Sequence, residues 1–309
     1  MPNLYDDERT AHENLSLQDR RLLRELEKRL PLCTEYAEVY ADLFAQSESR
    51  DVLAFLAPLA LRGEQPSFEE VPLAHKTVLQ YAHSLLNATD RMHFLSAFFK
   101  ACAKRGISLS LTSLFPQKSE KGHRIAYVRN AYTDEAYEMF SAEYEETTLV
   151  YADGFREACE AVADGSADFC ILPFENSSGL LLPFAEMAAR FSLSVVALCR
   201  VFHADGTDAT RFALLSPSIL SEYAGDTPCL RFSFTVSSGR ILTAQLAALA
   251  AADTTVLSLT SLPDTAGEGA LCCTVTLRCD RDSAFILLAY LYTFTDNPKL
   301  LGLYKEIEQ

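Results

Sequence analysis

Residues 158–179, ACEAVADGSADFCILPFENSSG, constrain the fold of this chain more than any other stretch. A helix that ends at Gly165, an apolar run FCILPF and a polar loop Glu175–Gly179 follow one another without a spacer. Six apolar residues in a row suit a strand buried on both faces, and such strands belong to sheets covered by helices on each side. The surrounding sequence repeats the alternation: RIAYV, a helix near 132–141, TTLVY, a helix near 153–164, FCILPF, a helix near 183–191, SVVALCRVF and TRFALLS. This pattern predicts a largely parallel sheet flanked by helices. Ligands in such folds bind beyond the carboxyl ends of the strands, where the loop Glu175–Gly179 lies.

The flanks follow other rules. Residues 16–105 read as helix throughout, with Ser16 and Asp19 as a capping box and Leu22, Leu26, Leu30, Cys33, Ala37, Tyr40 and Leu43 at helical spacing. Pro31 should kink or split that first helix. A second helix is expected over about Ser49–Leu61 and a third over about Pro72–Arg105, stopped by Gly106. Residues 107–120 suit a linker. From Cys229 onward the order is strand, helix 240–251, strand, turn DTAGEG, strand, helix 282–293 and strand, a ferredoxin-like βαββαβ pattern. The expected architecture is multidomain: an all-α N-terminal domain over 1–112, a single-lobed α/β domain over 121–218, and an α+β ferredoxin-like domain over 228–309.

Charge and cysteine usage narrow the function classes. The net charge of -15 repels phosphate backbones, so no nucleic-acid partner is expected. It also requires any anionic substrate to meet a local cluster of arginines. No run of about 18 apolar residues exists to span a membrane. The N-terminus, MPNLYDDERTAHENL, is acidic and polar where a signal peptide is basic and then apolar, so the expected location is the cytoplasm. The nine cysteines form no CxxC pair and read as reduced packing residues. The six histidines show no metal-ligand spacing, so neither a metal nor a cofactor is expected.

Gly165, Ala167, Asp168, Pro173, Glu175, Asn176 and Ser177, followed by Thr210-Arg211-Phe212, resemble the signature of the prephenate dehydratase family. The preceding helices resemble the chorismate mutase domain, and the closing pattern, with Leu300–Tyr304 near its end, resembles the ACT domain of the bifunctional proteins of phenylalanine biosynthesis. The resemblance implies roles. Thr210 would serve the leaving hydroxyl of prephenate, Asn176, Ser177 and Arg211 would shape the cleft with Glu175, and Arg29 would fall on a mutase arginine. Gly239, Ser261 and Pro263 persist from the family's phenylalanine-binding marks. Read without the family, the same threonine, arginine and phenylalanine are also ordinary residues at the start of a strand.

Departures from the family set the functional expectation. Only 34 residues separate Asn176 from Thr210 (210 minus 176), where active members place a second α/β lobe. Tyr127–Asp134 stands where the family has a glycine-rich GPxGT loop, and Tyr40 and His12 stand where the mutase has a lysine and an arginine. The chain therefore reads as a diverged mutase/dehydratase protein of aromatic amino acid biosynthesis whose dehydratase activity is weak or lost. Its ligands would be prephenate, chorismate or an aromatic amino acid, and it would assemble as a homo-oligomer, a homodimer by preference. The competing reading is a non-catalytic regulatory or scaffold protein that senses an amino acid through the ACT-like domain.

Overall fold

The computed structural model describes residues 17–48, 51–60, 77–79, 82, 86–115, 123–144, 146–204, 206, 208–236, 249, 254–263 and 270–308. The helices come first. Helix α1 (Leu17–Gln46) buries Cys33, Ala37, Tyr40, Ala41 and Phe44 at spacings of three and four, which gather on one face. Of the kink or split expected at Pro31, the split does not occur, and the helix runs on through the proline. The proline is on the exposed face, so its ring takes no core volume, and the buried residues beyond it hold the following turns in place. Tyr40 is wholly buried among Phe44, Phe55, Phe94 and Phe98, and its hydroxyl donates to the Phe55 carbonyl at 2.7 Å.

Helix α2 (Val52–Leu56) continues into a 3-10 turn, Ala57–Ala60, within the expected second helix. The expected third helix does not run as one piece: residues 77–79 are helical, 86 and 87 are not, and α3 occupies Ala88–Lys104. The reason is a capping box. Asn87 Oδ1 accepts from the Asp90 amide at 2.9 Å and Asp90 returns a contact to the Asn87 amide, an arrangement that starts a helix and cannot lie inside one. Gly106, at φ +75, stops α3 as predicted. A short helix α4 (Leu111–Leu114) follows inside the expected linker. Ser16 of the expected capping box, and the side chain of Asp19, lie outside the described residues, as does His12.

The strands are β1 (His123–Val128), β2 (Thr147–Ala152), β3 (Phe169–Asn176), β4 (Gly179–Leu180), β5 (Ser194–Phe202), β6 (Ala209–Ser216), β7 (Cys229–Val236), β8 (Thr255–Pro263), β9 (Leu271–Arg278) and β10 (Asp296–Ile307). Between them lie α5 (Ala131–Ser141), α6 (Phe155–Ala163), α7 (Leu182–Arg190) and α8 (Arg281–Phe294). All pair into one mixed sheet in the order β2-β1-β3-β6-β5-β10-β7-β9-β8, with β4 hairpinned onto β3. It is less parallel than the alternation predicts. β1 runs parallel to β2 and β3, and β10 to β5, whereas β6 is antiparallel to both β3 and β5. The short turn from β5 to β6 is the cause, since it is too brief for a crossover and forces a hairpin.

Three apolar clusters cover the sheet. Helix α5 packs Ala136 and Phe140 against Ile125, Phe169, Ile171, Phe212 and Leu214 on one face. On the other, α6 and α7 pack Ala158, Cys159, Val162 and Ala188 against Cys170, Leu172, Ala213 and Leu215. The third cluster joins the N-terminal helices to α8 and to β7 and β9, with Phe99 against Phe285 at 4.6 Å and Arg91 over the Phe294 ring at 5.0 Å. The strands β10-β7-β9-β8 are the fourth, first, third and second of the C-terminal block, each antiparallel to its neighbour. The helix expected over 240–251, and Gly239 before it, lie outside the described residues apart from helical Leu249. No described helix is long and apolar enough to cross a membrane.

Candidate functional site

The carboxyl ends of β1 and β3 and the start of the antiparallel β6 meet at one edge of the sheet, and the residues of the two signature segments gather there. Strand alternation then separates them. Along β6, Thr210, Phe212 and Leu214 face α5, while Arg211, Ala213 and Leu215 face α6 and α7. Thr210 and Arg211, adjacent in sequence, therefore act on opposite faces.

On the first face the Thr210 hydroxyl lies 2.9 Å from His203 Nε2. The β5–β6 hairpin sets this contact: Val201 pairs with Thr210, the His203 amide donates to the Asp208 carbonyl at 2.9 Å, and His203 falls two residues beyond Val201 on the same side. Tyr132, half exposed at the start of α5, covers the imidazole with ring centroids 5.2 Å apart. Asn130 caps that helix, its Oδ1 accepting from the amides of Tyr132 and Thr133, each at 3.1 Å. The amides that a glycine-rich loop would offer to an anion are thus taken by a side chain of the same loop. Tyr127 stacks on Tyr137 at 5.3 Å beneath this rim, its phenol pushed up by burial and by hydrogen bonding to Asp134.

On the second face the charges form a chain. Glu175 receives Arg231 Nη1 at 2.9 Å and Arg211 Nη1 at 3.4 Å. Arg211 Nη1 also reaches Glu306 Oε1 at 3.3 Å, and Glu306 pairs in turn with Arg278. Arg231 is buried, with its guanidinium 5.1 Å from the centre of the Phe174 ring. The pair Glu175–Arg231 also reports the shape of the sheet, because β3 and β7 are four strand steps apart. At about 4.8 Å per step a flat sheet would hold them about 19 Å apart, beyond the reach of an Arg–Glu contact. The sheet must coil so that this face is concave, and the ion pair clasps it across the hollow.

Asn176 and Ser177 do not join either group. Asn176 Oδ1 accepts from the Ser178 amide at 2.9 Å and shapes the β3–β4 turn, Gly179 supplies the φ of +110 that this turn needs, and Ser177 is exposed. Arg29 lies far along the chain in α1 and pairs with Asp90, a buried carboxylate that also serves the α3 cap. Ser261 is exposed on β8, the strand that ends the sheet, and Pro263 closes that strand.

Sequence reasoning passed over His203, Arg231, Arg278, Glu306 and Arg200. His203 could have been found by counting the hairpin register; the arginine and glutamate partners could not, because they come from strands brought together only by the coiled sheet. Beside the charge chain, Leu198, Arg200, Phe202, Arg211, Glu306 and Glu308 line a cavity of about 350 Å³. Cys199 is the one thiol at its wall, and burial pushes it up to about 12, which removes it as a nucleophile near neutral pH. None of the nine cysteines forms a disulfide, and among the described residues no group of His, Cys, Asp and Glu could hold a metal ion.

No family model matches this sequence, and no curated protein matches it. Among solved structures, a prephenate dehydratase from Streptococcus mutans matches with a TM-score of 0.45 at 18% identity, covering 60% of this chain and 98% of that one. GqqA, a quorum quenching acylase, matches with a TM-score of 0.44 at 22% identity, over 59% of this chain and 94% of its own. A prephenate dehydratase from Arthrobacter aurescens in complex with L-Phe matches with a TM-score of 0.43 at 14% identity, over 59% and 90%. A dehydratase and an acylase are matched alike, so the likeness assigns no activity.

Proposed function

We propose that this chain is a diverged relative of the bifunctional chorismate mutase/prephenate dehydratases of phenylalanine biosynthesis in which dehydratase turnover is weak or lost. The observation that carries this reading is the state of the signature pair. Thr210 is held by His203 on one face of the sheet, and Arg211 is held between Glu175 and Glu306 on the other. A dehydratase needs a proton donor or polarising group at the leaving hydroxyl and cationic or amide donors at two carboxylates, all converging on one molecule. The chain between Asn176 and Thr210 is taken up by β4 and β5 of the one sheet and by α7 that packs on it, which leaves no length for a second lobe. Arg29, withdrawn onto Asp90, is likewise engaged away from any chorismate dianion.

On this reading residues 1–112, 121–218 and 228–309 are inherited modules, of which the second and third contribute strands to one sheet and the first packs against the third. The strand order of the last module supports an ACT-like origin. The test is direct. Pure protein incubated with prephenate is expected to form no phenylpyruvate above the uncatalysed rate, and measurable turnover would overturn the proposal.

The second reading, a cytoplasmic homodimer that senses an amino acid through its C-terminal block, draws on the exposed Ser261 in β8 at the end of the sheet. Thermal shift with phenylalanine, tyrosine, tryptophan, prephenate and chorismate separates the readings, since a ligand at about 100 times its dissociation constant adds about 2.7 kcal/mol. A shift with an aromatic amino acid alone supports sensing. A shift with chorismate or prephenate supports the enzyme ancestry of the site.

A further inference from the structure

Strand β5 outruns its neighbour. The parallel pairing of β10 to β5 ends at Ile307 and Cys199, while β5 continues through Arg200, Val201 and Phe202 with only β6 beside it. The difference in paired length makes a step in the sheet, and the cavity of about 350 Å³ sits there. Its volume is at the lower end of the range of about 300–1,000 Å³ that small-molecule pockets occupy.

The charges around the step do not cancel. Arg200 stands directly opposite Arg211 in the β5–β6 register, so two guanidiniums share one face at neighbouring positions. Like charges so placed repel unless each is compensated. Arg211 is compensated by Glu175 and Glu306, but each of these also serves a second arginine, Arg231 or Arg278, so three guanidiniums share two carboxylates. Among the described residues Arg200 forms no ion pair, and its guanidinium lies 4.8 Å from the centre of the Phe202 ring. Arg200 thus presents an uncompensated guanidinium beside an apolar wall, with Glu308 as the further acid of the cavity. Phe202 is 43% exposed there, whereas Leu198, four residues earlier on the same strand, is 3% exposed.

The geometry points to a binding site for a small monocarboxylate with an apolar or aromatic body, its carboxylate on Arg200 and its body against Phe202, in the step where β5 outruns β10. Guanidinium and carboxylate match as a bidentate, charge-assisted pair, and stacking on Phe202 holds the guanidinium plane ready for it. Glu306 and Glu308 on the opposite wall disfavour a second negative charge, so the site selects a monocarboxylate over a dicarboxylate. This is a different face from Thr210, and the inference does not depend on the descent proposed above.

The test is a titration of the full chain with phenylacetate, phenylacetamide and phenylmalonate, followed by calorimetry and amide chemical shifts. Phenylacetate is expected to bind saturably with shifts at Arg200, Phe202 and Glu308. The neutral amide and the dianion should each bind at least about tenfold more weakly, the loss of one charge-assisted contact. Arg200→Gln should lose about tenfold in affinity with an unchanged melting temperature, since Arg200 is exposed, and Arg200→Lys should recover part of it. Phe202→Leu, which keeps an apolar surface, should weaken binding less than Arg200→Gln. The inference is overturned by absence of saturable phenylacetate binding, by equal binding of the amide, or by an Arg200→Gln variant that binds as the parent does.

Discussion

Arg231 donates to Glu175 across the hollow of the sheet while its guanidinium lies over Phe174, and its side chain is 8% exposed. Removing one partner of such a pair leaves the other desolvated and uncompensated. Arg231→Met is therefore expected to destabilise the protein by about 2–4 kcal/mol in urea unfolding, with Glu175 retaining only the longer contact to Arg211. Arg156, paired with Glu160 one turn on along α6 and 71% exposed, gives the contrast: Arg156→Met should change stability by less than about 0.5 kcal/mol. Asp168 carries a pH-dependent share. Burial pushes its carboxyl up, but hydrogen bonds from the Arg124 guanidinium and amide outweigh this and hold it below the usual carboxylate range. A depressed folded-state value means the stabilisation is present above the unfolded value of about 3.9 and is lost as pH falls through the folded one. Asp168→Asn should flatten the acid limb of the stability profile below about pH 4, measured by urea midpoints from pH 2 to 7.

Single elements carry their own tests. Pro31 sits exposed within α1 and supplies no backbone donor, so Pro31→Ala should raise stability by about 1–3 kcal/mol in the same urea assay. Asn87→Ala removes the acceptor that starts α3 and should cost about 1 kcal/mol, with loss of helical ellipticity confined to the first turn. These elements also mark what the sequence discloses. Runs such as FCILPF and SVVALCRVF and the helical spacing of Cys33, Ala37 and Tyr40 are local patterns, and the strands and helices between 123 and 216 lie where those patterns put them. The break before α3 was equally local, written in Asn87 and Asp90, but a single cap is easily outvoted by thirty residues of helical periodicity. Pairing is different in kind. Nothing near Glu306 announces that β10 lies beside β5, and nothing near Glu175 announces Arg231, because those contacts follow from how the whole sheet coils. The candidate site was legible as an edge and a set of residues, and its division by face becomes legible only once β6 has a direction and neighbours.

At the scale of the molecule, the three blocks seen in sequence share cores and hydrogen bonds. Phe99 of α3 meets Phe285 of α8, Arg91 covers Phe294, and the strand ladder passes from β5 to β10 without interruption. Urea unfolding followed by far-UV ellipticity and by tyrosine fluorescence should therefore trace one coincident transition; separate midpoints would show that the blocks melt independently. β10 is the last in sequence of the ten described strands, yet it lies between β5 and β7. A nascent chain thus leaves the ribosome with two half-sheets whose facing edges stay bare until residues 296–307 arrive. For that interval each edge is open to any strand nearby, so the risk of mispairing in the cell belongs to the order of synthesis and ends when the final strand slides into the gap.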